Sequence, residues 1–273
     1  VNPHEPDTAA FQRARHERAL DLDPGLPLYE SLDYGKHHPC VVWAQFTPWA
    51  DLRVLGGVMG HHMYLEDFAP IVQQYRARWF PEALEVVTCC DPAGSHGNSQ
   101  GLTQNGVSVL TDHGFVPQYR PDSNSPAVRL GMIERIAGHM RRRSPTGEAF
   151  GVDVNRWYRV SAHAAVQHRF LADGLEAGYV WDEHLISVAN KPMRRPKKDG
   201  WYEHGQNCLE YLEHNFGGVQ PSVEQTAQHA AAVRGRGQHD RRDTGELEHQ
   251  AMMRREYGYT KPRRVGGMGR GGY

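Results

Sequence analysis

The sequence predicts an α/β fold, a mixed β-sheet flanked by helices, with a flexible tail at its C-terminal end. Three observations carry this. Three β-rich runs come first, separated only by turn residues. Strand-like and helical patterns then alternate. From Pro221 onward large apolar residues become sparse, and the chain ends RRVGGMGRGGY.

The elements follow in order. Residues 1–27 are polar and proline-bearing, with a short helix predicted around 9–20, and read as a lead-in or linker. LYESLDYG opens the folded region at Leu28. CVVWAQF (Cys40–Phe46) and LRVLGGVM (Leu52–Met59) are two further strands separated by a Pro48-containing turn, as in an antiparallel meander. Leu65, Phe68, Ile71, Val72 and Tyr75 form the apolar stripe of a helix. LEVVTCCD (Leu84–Asp91) is a nearly continuous apolar run, as expected of a strand buried on both faces.

Thr103 is a candidate N-cap for a helix through Val107 and Leu110, with Gly114 in the stop position. FVPQY (Phe115–Tyr119) reads as a short strand. Ser125-Pro126 starts another helix, whose apolar face is Leu130, Ile133, Ile136, Ala137 and Met140. AFGVD, WYRVS and AGYVW add strand-like runs around a helix near His163–Leu171. A final helix is expected over about 203–215.

Composition narrows the function classes. The 273 residues carry 31 Lys+Arg against 32 Asp+Glu, a formal charge of −1, so global electrostatics point to no partner. Hydrophobic residues at 39% support a core. No apolar run reaches the ~20 residues of a membrane span, and the first twenty residues lack a signal-peptide pattern. Cys40, Cys89, Cys90 and Cys208 form no CxxC pair, which fits a reducing compartment. The 17 histidines show no linear zinc-site spacing, and no GxxxxGK[ST] loop is present.

Two aspartates stand out by context. Asp33 ends the first strand in SLDYGKHHP, and Asp91 ends the apolar strand in TCCDPAG. Carboxylates there project from the ends of strands, where α/β folds bind ligands. A divalent cation would offset their burial, and hard Mg²⁺ favours such oxygens. Asp-Pro and Asp-x-Gly are equally ordinary turn chemistry.

The phrases LDYGKHHPCVVWAQ, VVTCCDPAG, LADGLEAGYVW and KKDGWYEHGQNCLEYL give the segment from Leu28 to about Phe216 a resemblance. It resembles the nuclease domain of phage large terminases, which cut concatemeric DNA during viral genome packaging. The resemblance implies an RNase H-like fold over residues 28–220 and a lost or excised N-terminal ATPase half, while composition makes 221–273 a flexible basic tail. It further implies an endodeoxyribonuclease that uses two Mg²⁺ or Mn²⁺ ions to hydrolyse phosphodiesters. Asp33 would bridge the ions, Asp91 would hold one, and the region of Asn207 the other.

One departure is visible. Many family members carry an acid where His204-Gly-Gln-Asn207 places an amide. The second ion would then be held by Asn207, His204 or Asp199. The alternative reading of His204 and Asn207 is helix capping and surface hydrogen bonding.

Duplex DNA would be gripped through phosphates by Lys191, Arg194, Arg195, Lys197 and Lys198, with Arg141, Arg142 and Arg143 as a second cluster. Both clusters also fit solvated loops and a positive helix end. His96, Asn98 and Gln100 are candidates to line the cleft. Trp157, Tyr158, Tyr179 and Trp181 read as core. The tail, with ten Lys/Arg and six Asp/Glu from Ser222 to Tyr273, is by analogy a contact for the portal or procapsid. The resemblance implies the small terminase subunit and the ATPase domain as further partners, and the host cytoplasm as the location. Two competing readings are a catalytically weak DNA-docking or portal-binding module, because the third acid is missing, and another RNase H-like enzyme such as a resolvase.

Overall fold

The computed structural model describes residues 11–35, 37–48, 50–95, 105–141, 150–152, 157–160, 170–188 and 191–217. All of them lie in one compact unit, Val1–Ala232.

A one-turn helix α1 (Arg13–His16) precedes the sheet. Strands β1 (Leu28–Asp33), β2 (Cys40–Phe46) and β3 (Leu52–Gly60) form the expected antiparallel meander. The β2–β3 register shifts between Trp43 and Ala44, a bulge that increases the local twist. Helix α2 (Leu65–Trp79) returns the chain to β4 (Val86–Cys90), which pairs parallel with β1. Helices α3 (Gly106–Asp112) and α4 (Pro126–Arg141) follow. Strands β5 (Gly151–Val152) and β6 (Trp157–Val160) both pair parallel with β3. The order across the sheet is therefore β4-β1-β2-β3, with β5 and β6 on the far edge. After α5 (Phe170–Asp173) and a π-helical turn (Gly174–Gly178), β7 (Ile186–Val188) and β8 (Lys191–Met193) make a separate hairpin. Helix α6 (Tyr202–Phe216) closes the described chain.

Alternation along β2 explains the layering. Cys40, Val42, Ala44 and Phe46 face one core, with Ile136, Ala137 and Met140 of α4 and Leu209 and Leu212 of α6. Val41 and Trp43 face the other, with Phe68 and Val72 of α2 and Leu110 of α3. The sheet is thus covered on both sides, which is why β2 and β3 are buried throughout. On the α2 side Glu30 is fully enclosed, and it accepts hydrogen bonds from Trp43 Nε1 (2.8 Å), Thr88 Oγ1 (3.0 Å) and Arg76 Nη1 (2.9 Å). Burial raises its pKa, and the three partners oppose the rise.

Several expectations change. Phe11, Leu20 and Leu26, in the expected lead-in, are buried, Phe11 and Leu20 within the two cores. The Leu84–Asp91 run is buried only in its second half, because β4 is the outer strand: Leu84 is 87% exposed. The expected strand at Phe115–Tyr119 reduces to a single bridge, Gln118 to Cys89. The AGYVW run likewise contributes only the bridge from Trp181 to Pro196. Asn105 is the cap of α3, its side chain accepting from the Ser108 N–H at 2.7 Å. Thr103, residues 163–169 and the tail lie outside the described residues. Gly114, in the predicted stop position, has φ +80, the left-handed conformation glycine adopts without steric cost. No described helix is long and apolar enough to cross a membrane.

Candidate functional site

Because β1 and β4 are parallel neighbours in register, with Leu32 opposite Cys90, their next residues emerge side by side. Asp33 ends β1 and Asp91 follows β4, and the Asp91 N–H donates to the Leu32 carbonyl at 3.1 Å. Strand alternation turns both side chains to the face covered by α6, since Cys89 lies in that core and Cys90 in the other.

Helix α6 meets Asp33 with two residues one turn apart. His204 Nδ1 lies 2.9 Å from Asp33 Oδ1, and Asn207 Nδ2 donates to Oδ2 at 2.8 Å. The Gly35 N–H adds a third bond, to Oδ1 at 3.0 Å. A Cβ on Gly35 would fall 2.8 Å from the His204 ring and 2.5 Å from the His38 carbonyl, so this turn has room only for glycine.

Burial pushes the Asp33 carboxyl up, but the His204 charge, the His204 and Asn207 hydrogen bonds and the Gly35 N–H outweigh it, and its pKa is lowered. Burial disfavours the charged His204 as well, yet Asp33 raises its pKa above the ordinary value. Asp91 moves the other way. Burial first and the nearby Asp33 charge second raise its pKa, against bonds from the Ala93 N–H (2.8 Å) and Asn124 Nδ2 (2.7 Å) to its Oδ1.

A buried cluster stands behind Asn207. Arg129 of α4 donates through Nε to Glu210 (2.9 Å) and through Nη2 to both Tyr179 Oη (3.0 Å) and Asn207 Oδ1. Tyr179 Oη in turn donates to Glu210 at 2.7 Å. Asn207 therefore offers its oxygen to Arg129 and its NH₂ to Asp33. Facing Asp33 it is a donor, because its oxygen, the atom a metal would use, is turned to the guanidinium.

Asp199 is occupied at the start of α6, accepting from the Trp201 and Glu203 N–H groups at 2.9 and 3.3 Å. Among the described residues no three His, Cys, Asp or Glu side chains are gathered to cage a metal ion. Asp33 and Asp91 nevertheless fit one hard cation. Their mutual repulsion is what a dication would relieve, and Asp91 Oδ2 has no hydrogen-bond partner among the described residues.

Of the expected DNA contacts, Arg194, Arg195, Lys197 and Lys198 follow β8, and Arg194, Lys197 and Lys198 are exposed. Arg195 is paired with Asp182 at 3.0 Å, which takes up part of the loop's charge. The side chain of Lys191, and Arg142, Arg143, His96, Asn98 and Gln100, lie outside what is described. All four cysteines are buried and free. Sequence reading missed Arg129, Asn124 and Glu210. Arg129 carried one signal: it falls on the stripe that continues through Met132, Ile133 and Ile136, a charge on an apolar face.

The strand order, the parallel β1–β4 pair and the helices on both faces make this an RNase H-like α/β fold. No family model matches the sequence, and comparison with curated proteins gives no significant match. Among solved structures, the chain is similar to the large terminase of a thermophilic bacteriophage. In one crystal form the TM-score is 0.51 at 12% identity, over 76% of this chain and 43% of that one. Another crystal form of the same terminase gives a TM-score of 0.48 at 11% identity, covering 76% and 44%. The large terminase nuclease domain of bacteriophage SPP1, solved with bound Mn, gives 0.40 at 15% identity, covering 70% and 87%. The chain thus has the fold of part of a large terminase, and spans less than half of the thermophilic phage's protein.

Proposed function

We propose that the chain is the nuclease part of a viral DNA-packaging terminase, an endodeoxyribonuclease acting on duplex DNA. The observation that carries this reading is the Asp33–Asp91 pair at the adjacent ends of parallel strands, beneath α6. Asp33 and Asp91 would hold Mg²⁺ or Mn²⁺; a second ion at their α6 side would need Asn207 and His204 to turn away from Asp33. Such ions activate water and stabilise the leaving oxygen of a phosphodiester. The protein's own part is to aim the two carboxylates. His204, Asn207 and the Gly35 N–H fix Asp33, while Ala93 and Asn124 fix Asp91.

Phosphates would be gripped by Lys191, Arg194, Lys197 and Lys198, with Arg195 partly committed to Asp182. The nuclease domain would comprise residues 28–220 together with the preceding segment that places Phe11 and Leu20 in its cores, with 221–273 as the basic tail. The ATPase domain, the small subunit and the portal or procapsid would be its partners in the host cytoplasm.

Cleavage of supercoiled plasmid in Mn²⁺ or Mg²⁺ tests the reading, and Asp33→Asn and Asp91→Asn should each abolish it. Cleavage that survives both substitutions would refute the site assignment. A second reading, a DNA-docking module with weak catalysis, is favoured by the Asn207 amide standing where an acid would complete the metal site. Wild-type protein that binds duplex yet never cuts it would decide for that reading. Preference for four-way junctions over linear duplex would indicate a resolvase.

A further inference from the structure

Four histidines lie in two sequence pairs, His37-His38 in the β1–β2 turn and His61-His62 just after β3. Their linear spacing matches no zinc motif, but the hairpin geometry brings the pairs together. The His38 and His61 rings stack at 4.9 Å between centroids, and their Nδ1 atoms are 3.3 Å apart. His38 Nδ1 also lies 3.2 Å from the Gly60 carbonyl oxygen. Two donors about 2.0–2.1 Å from a tetrahedral ion stand about 3.3 Å from each other, so both spacings are those of neighbouring ligands.

We propose that His38 Nδ1, His61 Nδ1 and the Gly60 carbonyl form a site for a borderline divalent transition ion such as Zn²⁺, Ni²⁺ or Cu²⁺, separate from the carboxylate pair. Imidazole nitrogen suits these ions, whereas Mg²⁺ prefers oxygen. In the metal-free tautomer that carries a proton on His38 Nδ1, the Gly60 oxygen and His61 Nδ1 are both within reach of that proton. Binding moves that proton to Nε2 and puts the ion in its place, with no net proton released. Neutral imidazole is the form that ligates.

The surroundings hold the pair. Trp201, which opens α6, lies edge-on to both rings, at 5.0 Å from His38 and 6.0 Å from His61. His62 has φ +53, a left-handed conformation uncommon outside glycine, and its ring is 4.1 Å from that of His61. Three protein donors leave one tetrahedral position for water or another oxygen ligand.

The site does not depend on the nuclease reading, and its test keeps the two apart. Chelator-stripped full chain is titrated with Ni²⁺ or Zn²⁺ alone by calorimetry, and with Cu²⁺ followed by electron paramagnetic resonance. One equivalent is expected to bind with two imidazole nitrogens in the copper spectrum. It should weaken at least tenfold in His38→Gln and in His61→Gln, and persist in Asp33→Asn/Asp91→Asn. Unchanged binding in both histidine variants would overturn the site, as would its loss in the aspartate variant alone. The wild-type copper spectrum needs no variant to fold, and a signal without two nitrogens would also overturn the proposal.

Discussion

Asn207 faces Asp33 with its NH₂ group, 2.8 Å from Oδ2, and not with its oxygen. The orientation is imposed from behind by Arg129, whose guanidinium takes the amide oxygen and is balanced by Glu210. An amide held this way stabilises the ionised Asp33 without adding the negative charge that an acid would bring to a metal site.

Asn207→Asp should therefore act in opposite directions with and without metal. In the metal-free protein it removes a donor and opposes two carboxylates, costing about 1–3 kcal/mol, partly offset by Arg129. With Mn²⁺ present the added charge should tighten binding at least tenfold and raise the metal-induced shift in Tm. Calorimetry and thermal melts in chelator and in Mn²⁺ check both arms.

Asp33→Asn and Asp91→Asn should both abolish cleavage but separate in stability. Asp33 is held in its charged form by three partners, so its loss should destabilise the metal-free protein by about 1.5–3 kcal/mol. Asp91 is disfavoured as an anion by burial and by Asp33, so its neutral variant should melt at an equal or higher temperature. Urea titrations of the metal-free proteins give the comparison.

Stability should peak over a defined pH window. Asp33 has a lowered pKa, so its contribution is present above the ordinary carboxylate value of about 3.9 and disappears as pH falls through its folded value. His204 has a raised pKa, so its contribution is complete below about 6.5 and is lost as pH climbs through the higher folded value. Tm against pH in chelator should be highest between these limits, and His204→Gln should flatten the alkaline side.

Arg129→Met should be among the most damaging single changes. It leaves Glu210, wholly buried, without its cation, a loss of about 3–5 kcal/mol. Adding Glu210→Gln should recover part of this, and a denaturation double-mutant cycle measures the coupling.

The hydrophobic period made the meander, α2 and α6 legible, because burial on both faces leaves long apolar runs that only a covered sheet can hold. The two aspartates were legible because each sits where a strand runs into turn residues. The partners of the site were not. Arg129 reaches Asn207 across 78 positions and Glu210 across 81, and no local pattern encodes such a contact. The strand expected at Phe115–Tyr119 failed for a related reason: its residues suit a strand, yet only Gln118 reaches β4.

The seam between the sheet and α6 has a consequence for how the chain acquires its site. The bonds that aim Asp33 close loops of 171 and 174 residues, whereas the β1–β2 meander closes within a turn. Contacts of such separation come late in folding, since the entropy of closing the loop must be met before they form. On a growing chain the two aspartates emerge long before α6 does, and a nascent chain that ends short of residue 204 holds both carboxylates without the helix that orders them. Under the proposed reading, the carboxylate pair would be ordered for chemistry only once the domain is complete.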